Sequence, residues 1–106
     1  MADLSGYLPL GSVVLLKKGI HRVIIVGRGL KVKQGEDICF FDYAGVLYPE
    51  GLTGVDVCYF NNDWIQDIDF IGYNDESSRS ITHKMEQYVA SNPDMKRCPM
   101  PEEPKE

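Results

Sequence analysis

The periodicity of this chain changes only once, at Asn74, and that restricts it to a run of β-strands followed by a single helix. Before Asn74 the apolar residues come in short runs cut by glycine and proline. Leu8-Pro9-Leu10-Gly11 is a lead-in, because proline biases its predecessor towards extended structure and glycine permits a sharp turn. Ser12 to Lys17, with Val13, Val14, Leu15 and Leu16, and Arg22 to Val26, with Val23, Ile24 and Ile25, read as two strands. The connector Lys18-Gly19-Ile20-His21 makes them a hairpin.

Gly27 to Gly35 carries three glycines and three basic residues with few apolar anchors, which predicts an exposed, mobile loop and a natural place for function. Asp37 to Tyr48 reads as a longer strand, with Gly45 marking a bulge or sharp bend that curls the sheet. Pro49-Glu50-Gly51 is a turn, and in Val55 to Phe60 the residues Val55, Val57 and Tyr59 alternate with Asp56 and Cys58. Asn61-Asn62-Asp63-Trp64 is an Asx-type turn or one helical turn. It leads to a strand over Ile65 to Tyr73, with Ile68 and Phe70 on one side and Asp67 and Asp69 on the other.

Asn74 is a suitable N-cap, Asp75 and Glu76 complement the helix dipole, and Ile81, Met85, Tyr88 and Val89 recur at helical spacing. One amphipathic helix is expected from about 75 to 90, stopped by Asn92-Pro93. The fold class is therefore α+β: a strongly bent antiparallel sheet, or a small partly closed barrel of five to six strands, with one C-terminal helix over an open face or edge. The domain spans 1–92, and the Pro- and Glu-rich stretch 93–106 reads as a disordered tail.

With 106 residues the chain has room for one core only. Its 43% hydrophobic and 25% charged residues are those of a folded soluble protein. Three cysteines, Cys39, Cys58 and Cys98, at long unequal spacings fit neither a disulfide framework nor a zinc site, and imply reduced thiols in a cytoplasm. No signal-peptide pattern and no membrane-length apolar segment is present in the sequence.

Charge is segregated along the chain. Between positions 4 and 76 every Lys and Arg falls in 17–33 (Lys17, Lys18, Arg22, Arg28, Lys31, Lys33), whereas 36–76 holds ten carboxylates and no base. Such a division gives a positive edge and a negative surface, and fields of this kind steer partners and set register. The net charge of -5 argues against general nucleic-acid binding.

No catalytic constellation competes with a docking role. Gly27-Arg28-Gly29-Leu30-Lys31 lacks the Gly-Lys-Ser/Thr of a phosphate loop, and Asp63, Asp67 and Asp69 lack calcium-loop spacing, so they are read as a solvated strand face. His21 and His83 are far apart with no ligand neighbours and are read as exposed, which leaves no metal or other cofactor to expect. Cys39 and Cys58 sit in apolar runs unsuited to a nucleophile. Trp64 fits either the core or an interface anchor.

The order of Leu8-Pro9-Leu10-Gly11-Ser12-Val13-Val14-Leu15-Leu16-Lys17, Val23-Ile24-Ile25-Val26-Gly27-Arg28, Asp42-Tyr43, Leu47-Tyr48-Pro49-Glu50-Gly51, Phe60-Asn61 and Phe70-Ile71-Gly72-Tyr73 resembles a known pattern. It is that of a small uncharacterised domain family of Gram-positive bacteria, encoded beside LXG toxin genes of the type VII secretion system. The resemblance covers about 8–90 and implies a cytoplasmic chaperone or targeting adaptor that binds an LXG toxin before export, alone or with other small secretion accessory proteins. Two other readings stay open: an immunity protein whose acidic 36–76 region blocks the toxin's C-terminal domain, and a small-barrel nucleic-acid binder using Lys17 to Lys33. From their chemistry the candidate partner contacts are Arg28, Lys31, Lys33, Tyr48, Glu50 and Trp64.

Overall fold

The computed structural model describes residues 7–17, 19–54 and 57–96. Five strands, β1 (Val13–Leu16), β2 (Arg22–Gln34), β3 (Asp37–Tyr48), β4 (Cys58–Phe60) and β5 (Ile65–Phe70), precede one helix, α1 (Glu76–Ser91). All strand pairs are antiparallel and the sheet order is β4-β3-β2-β1-β5. The α+β class and the C-terminal helix are as the periodicity predicts.

The order dictates curvature. In a flat sheet β4 and β5 would lie four strand spacings apart, about 19 Å. Only residues 61–64 join them, and Asn62–Trp64 form a 3₁₀ turn. At about 2 Å of rise per 3₁₀ residue, that connection reaches only about 13 Å. The sheet must therefore bend to bring its two ends together, although β4 and β5 do not pair and the sheet remains open.

Of the interval 27–35, expected as a loop, residues 27–34 are instead the second half of β2. Arg28, Leu30, Lys31, Val32 and Lys33 pair in register with Tyr43, Phe41, Phe40, Cys39 and Ile38 of β3. This continuous hairpin ladder overrides the local preference of the glycines. They are accommodated by a register shift between Ile25 and Gly27 and by a left-handed Gly29, φ 63°. Only Gly35 and Glu36 turn the chain.

Two smaller expectations are also corrected. Asp75, not Asn74, caps α1, its carboxylate accepting from the Ser78 amide at 3.0 Å. In β5, a register shift against β1 sets Phe70 opposite Val13 but Ile68 opposite Val14, so Ile68 packs on the core while Phe70 is 61% exposed on the other side. The alternation of the sequence had placed both on one side, and the bulge separates them. Of the strand expected over 55–60, residues 55 and 56 lie outside the described residues, as does the tail from 97 onwards.

The core fills the inside of the curl. Val14, Val23, Ile25, Phe41, Tyr43, Phe60, Trp64 and Ile65 are buried together. Phe41 meets Trp64 edge-on at 6.4 Å between ring centroids, and Tyr43 packs on Phe60 at 5.4 Å. Cys39 also lies in the core but is disulfide-bonded, which corrects its reading as a reduced thiol; Cys98 lies outside the described residues. Close by, the Phe40 amide donates to the Lys96 carbonyl at 2.9 Å, so the chain beyond α1 returns to the side of β3.

Helix α1 is attached differently. It has no buried residue, and its hydrophobic stripe is only half-covered: Met85 and Val89 are intermediate in exposure and Ile81 is 47% exposed. Few buried contacts mean a low opening free energy. Amide exchange under native conditions is expected to be much faster along 76–91 than along paired β2 and β3, and protection of α1 equal to that of β3 would contradict this loose attachment.

Candidate functional site

Directly paired residues in neighbouring strands share a face of the sheet, so the register sorts the side chains. One line, Leu47-Val23-Val14-Ile68, points into the core; Val23 and Val14 are buried, and Leu47 and Ile68 pack against the cluster. The next line, Val46-Ile24-Val13-Phe70, runs across the opposite, outer face. It too is wholly apolar. Its exposure increases towards β5: Val46 is buried, Ile24 and Val13 are intermediate, and Phe70 is open. Val26 on β2 and Leu10 and Ile71 in the flanking segments are also exposed, at 51%, 48% and 46%. An antiparallel sheet with one solvated face ordinarily alternates apolar inside with polar outside. Here the outer face also carries a wholly apolar line, and such a surface marks an interaction site.

A third line, Tyr48-Arg22-Leu15-Asp67, lies beside it on the outer face. Arg22 Nε donates to Asp69 Oδ2 at 2.6 Å, which neutralises one carboxylate of β5. This is the only ion pair among the described residues. Asp67 on β5 and Asp63 in the preceding 3₁₀ turn are exposed.

The candidate partner contacts do not converge on one place. Arg28, Lys31 and Lys33 are on the distal half of β2, whereas Tyr48, 50% exposed, and Glu50 are at the opposite end of the β2–β3 hairpin. Trp64, weighed as an interface anchor, is 7% exposed and belongs to the core. Its indole fills the space at the bend between β4 and β5, where the 3₁₀ turn directs it inwards.

The basic strip is largely engaged within the chain. Arg28 Nη1 donates to Thr82 Oγ1 at 3.0 Å and to the Leu8 carbonyl at 3.4 Å. Partial burial lowers the pKa of its guanidinium. Lys31 holds its ammonium 4.8 Å from the centre of the Tyr88 ring, a cation–π contact. A side chain at Gly29 would meet Met85, so α1 lies directly over this part of β2. Lys33 is exposed next to exposed Ile38.

Behind the open face, a polar network ties three segments together. The Tyr7 hydroxyl donates to Asp42 Oδ1 at 3.1 Å and the Asn62 amide to Asp42 Oδ2 at 2.8 Å, while the Asp42 amide donates to Asn61 Oδ1 at 2.9 Å. The Tyr43 hydroxyl accepts from the Leu8 amide at 2.9 Å and donates to Asn62 Oδ1 at 3.1 Å. Desolvation pushes its pKa up to about 12. These bonds position the lead-in and the β4–β5 turn against β3.

Among the described residues no three His, Cys, Asp or Glu side chains are grouped to hold a metal ion. His21 and His83 are both exposed, on separate elements. Cys58 is a free, half-buried thiol whose pKa burial raises, the opposite of what activates a nucleophile. The residues that the sequence reading missed are Val13, Ile24 and Phe70. Their alternation was visible, but their alignment across three strands follows from sheet order, which no local signal contains.

No curated protein and no solved structure matches the chain. One family model, described as a domain of unknown function, DUF4176, matches residues 7–81. The match takes in all five strands and the start of α1, and ends before Thr82, Met85 and Tyr88, which meet the basic strip. With most of its 106 residues matched, including the whole sheet, the chain belongs to the DUF4176 family.

Proposed function

We propose that this domain is a non-catalytic protein-binding module, acting in the cytoplasm as a chaperone or targeting adaptor for an LXG toxin exported by a type VII secretion system. The observation that carries the binding role is the apolar outer line Val46-Ile24-Val13-Phe70, open to solvent at its β5 end. The choice of partner rests on the resemblance of the sequence motifs. The raised thiol pKa of Cys58 and the separation of the two histidines support a role without catalysis. The bend forced by the short β4–β5 connection supports reading the sheet as a partly closed barrel.

The acidic β5 region gives a specific reason to keep the immunity reading beside this one, since Asp63 and Asp67 are exposed and could face a basic toxin site. Co-purification with the LXG toxin from a neighbouring gene, using versions lacking either the LXG region or the toxic domain, separates them. The adaptor should be retained without the toxic domain and should leave toxicity unchanged. Retention only through the toxic domain makes it an immunity protein, and no retention removes both.

Among the described residues no helix is long and apolar enough to cross a membrane. A reducing cytoplasm keeps thiols unpaired, which is at odds with the Cys39 disulfide. Titration of free thiols in protein taken directly from cells is expected to find Cys58 reactive and Cys39 blocked by its disulfide, and a reactive Cys39 would show that the bond is absent in the cytoplasm.

A further inference from the structure

We propose that the partner adds a strand to the free edge of β5, placing an apolar residue beside Phe70 and a Lys or Arg beside Asp67; this rests on the protein-binding reading above. The other edges are occupied or short. Beyond β4, which has three residues, β3 is met by Lys96 at Phe40 and by Asn61 at Asp42. Beyond Ile25, β2 lies beneath α1 at Arg28 to Lys31. β5 instead ends the sheet with six residues, and no backbone partner beyond β1 is present for it among the described residues. Six residues at about 3.4 Å each offer roughly 20 Å of unpaired backbone, which is the requirement for strand addition.

The side chains specify the occupant. A strand laid along β5 would prolong the outer apolar line past Phe70, covering an aromatic ring that is 61% exposed. It would also prolong the line that ends at Asp67, whose exposed carboxylate has no ion pair among the described residues, while Asp69 is held by Arg22. Opposite charges across a strand pair stabilise and like charges destabilise. A second copy of this chain is a poor occupant, because Ile65-Gln66-Asp67-Ile68-Asp69-Phe70 contains no base and can offer its own aspartates no cation in any register. The two carboxylates thus discourage self-pairing while admitting a basic strand.

The test uses the full chain and two capped hexapeptides at millimolar concentration, both with threonine at every second position. Lysine and valine take turns at the other positions in one and glutamate and valine in the second, so that one face of the strand carries both the charge and the apolar residue. The lysine peptide should slow amide exchange over 65–70 at least twofold and lose this effect at high salt; the glutamate peptide should not act. Asp67→Lys should exchange these preferences. No slowing at 65–70, equal slowing by both peptides, or slowing confined to 13–26 would overturn the proposal. In parallel, the neighbouring toxin should be retained at least threefold less by Asp67→Lys than by the wild-type chain. Equal retention rejects the β5 edge and keeps the binding module. Failure of the wild-type chain to retain toxin rejects the module, and the peptides still judge the edge.

Discussion

Replacing Gly72 by alanine should destabilise the domain by about 3 kcal/mol or more, since overpacking at a site that cannot relax costs this much. A Cβ at Gly72 would collide with the Leu10 carbonyl oxygen and would lie 2.8 Å from Gly11 C and 2.9 Å from Ser12 N. All three are backbone atoms, so no rotamer change relieves the contact. The backbone there is pinned from both sides. The Gly11 amide donates to the Ile25 carbonyl at 2.8 Å, and the Ile25 amide to the Ser12 carbonyl at 2.9 Å. Buried Ser12 donates its hydroxyl to the Pro9 carbonyl at 2.8 Å and accepts the Gly72 amide at 3.0 Å. Gly72 is thus required for closeness, since its side of the crossing has no room for a methyl group.

Gly35→Ala is the control, because Gly35 needs its positive φ of 64° yet a Cβ there would meet nothing within 4 Å. It should lose only about 1 kcal/mol, the usual cost of a left-handed L-residue. Thermal denaturation compares them: at roughly 4–8 °C per kcal/mol for a domain of this size, Gly72→Ala should melt at least 12 °C below the wild type. Equal melting temperatures for the two variants would show that the lead-in and the segment after β5 do not cross as described.

Asp42→Ala should cost a similar amount, about 3 kcal/mol, because it orphans two half-buried donors as well as removing a buried carboxylate. The side chain is 3% exposed and accepts from Tyr7 and from the Asn62 backbone. Tyr43→Phe should lose about 1–3 kcal/mol, leaving the Leu8 amide without its acceptor. It should also carry a signature in pH. The Tyr43 pKa is raised in the folded state, to about 12 from 10.0, so folding favours the protonated phenol. The resulting stability is fully present below pH 10.0 and is lost as pH rises towards about 12. Denaturant unfolding from pH 9 upwards should show that decline in the wild-type chain and a smaller one in Tyr43→Phe. Identical alkaline declines would mean that another group dominates.

Much of this architecture is legible in the residues. β3 starts and ends where the apolar run around Gly45 predicts, and the Gly19 connector joins β1 to β2. Gly45 itself sits where a Cβ would meet Val23 and the Ile24 carbonyl, at the register shift of β2. The candidate site was much less legible. Arg28 and Lys31 carry the charge that made them conspicuous, yet that charge is directed at Thr82 and Tyr88 of the chain's own helix. Trp64 has the chemistry of an interface anchor and is used instead to fill the bend.

Hydrophobic periodicity, turn residues and the change of pattern at Asn74 determined the strands, the helix and their order along the chain, because these follow from contacts within a few residues. Tertiary structure alone decided that 27–34 would be strand, that Ile68 and Phe70 would part across a bulge, and that β5 would be left as an edge. Each depends on which other strand supplies the hydrogen bonds, and backbone pairing over many residues outweighs the preference of a glycine or an alternating run. The open apolar line belongs to this second class, since a residue faces solvent or core according to the register of its neighbours.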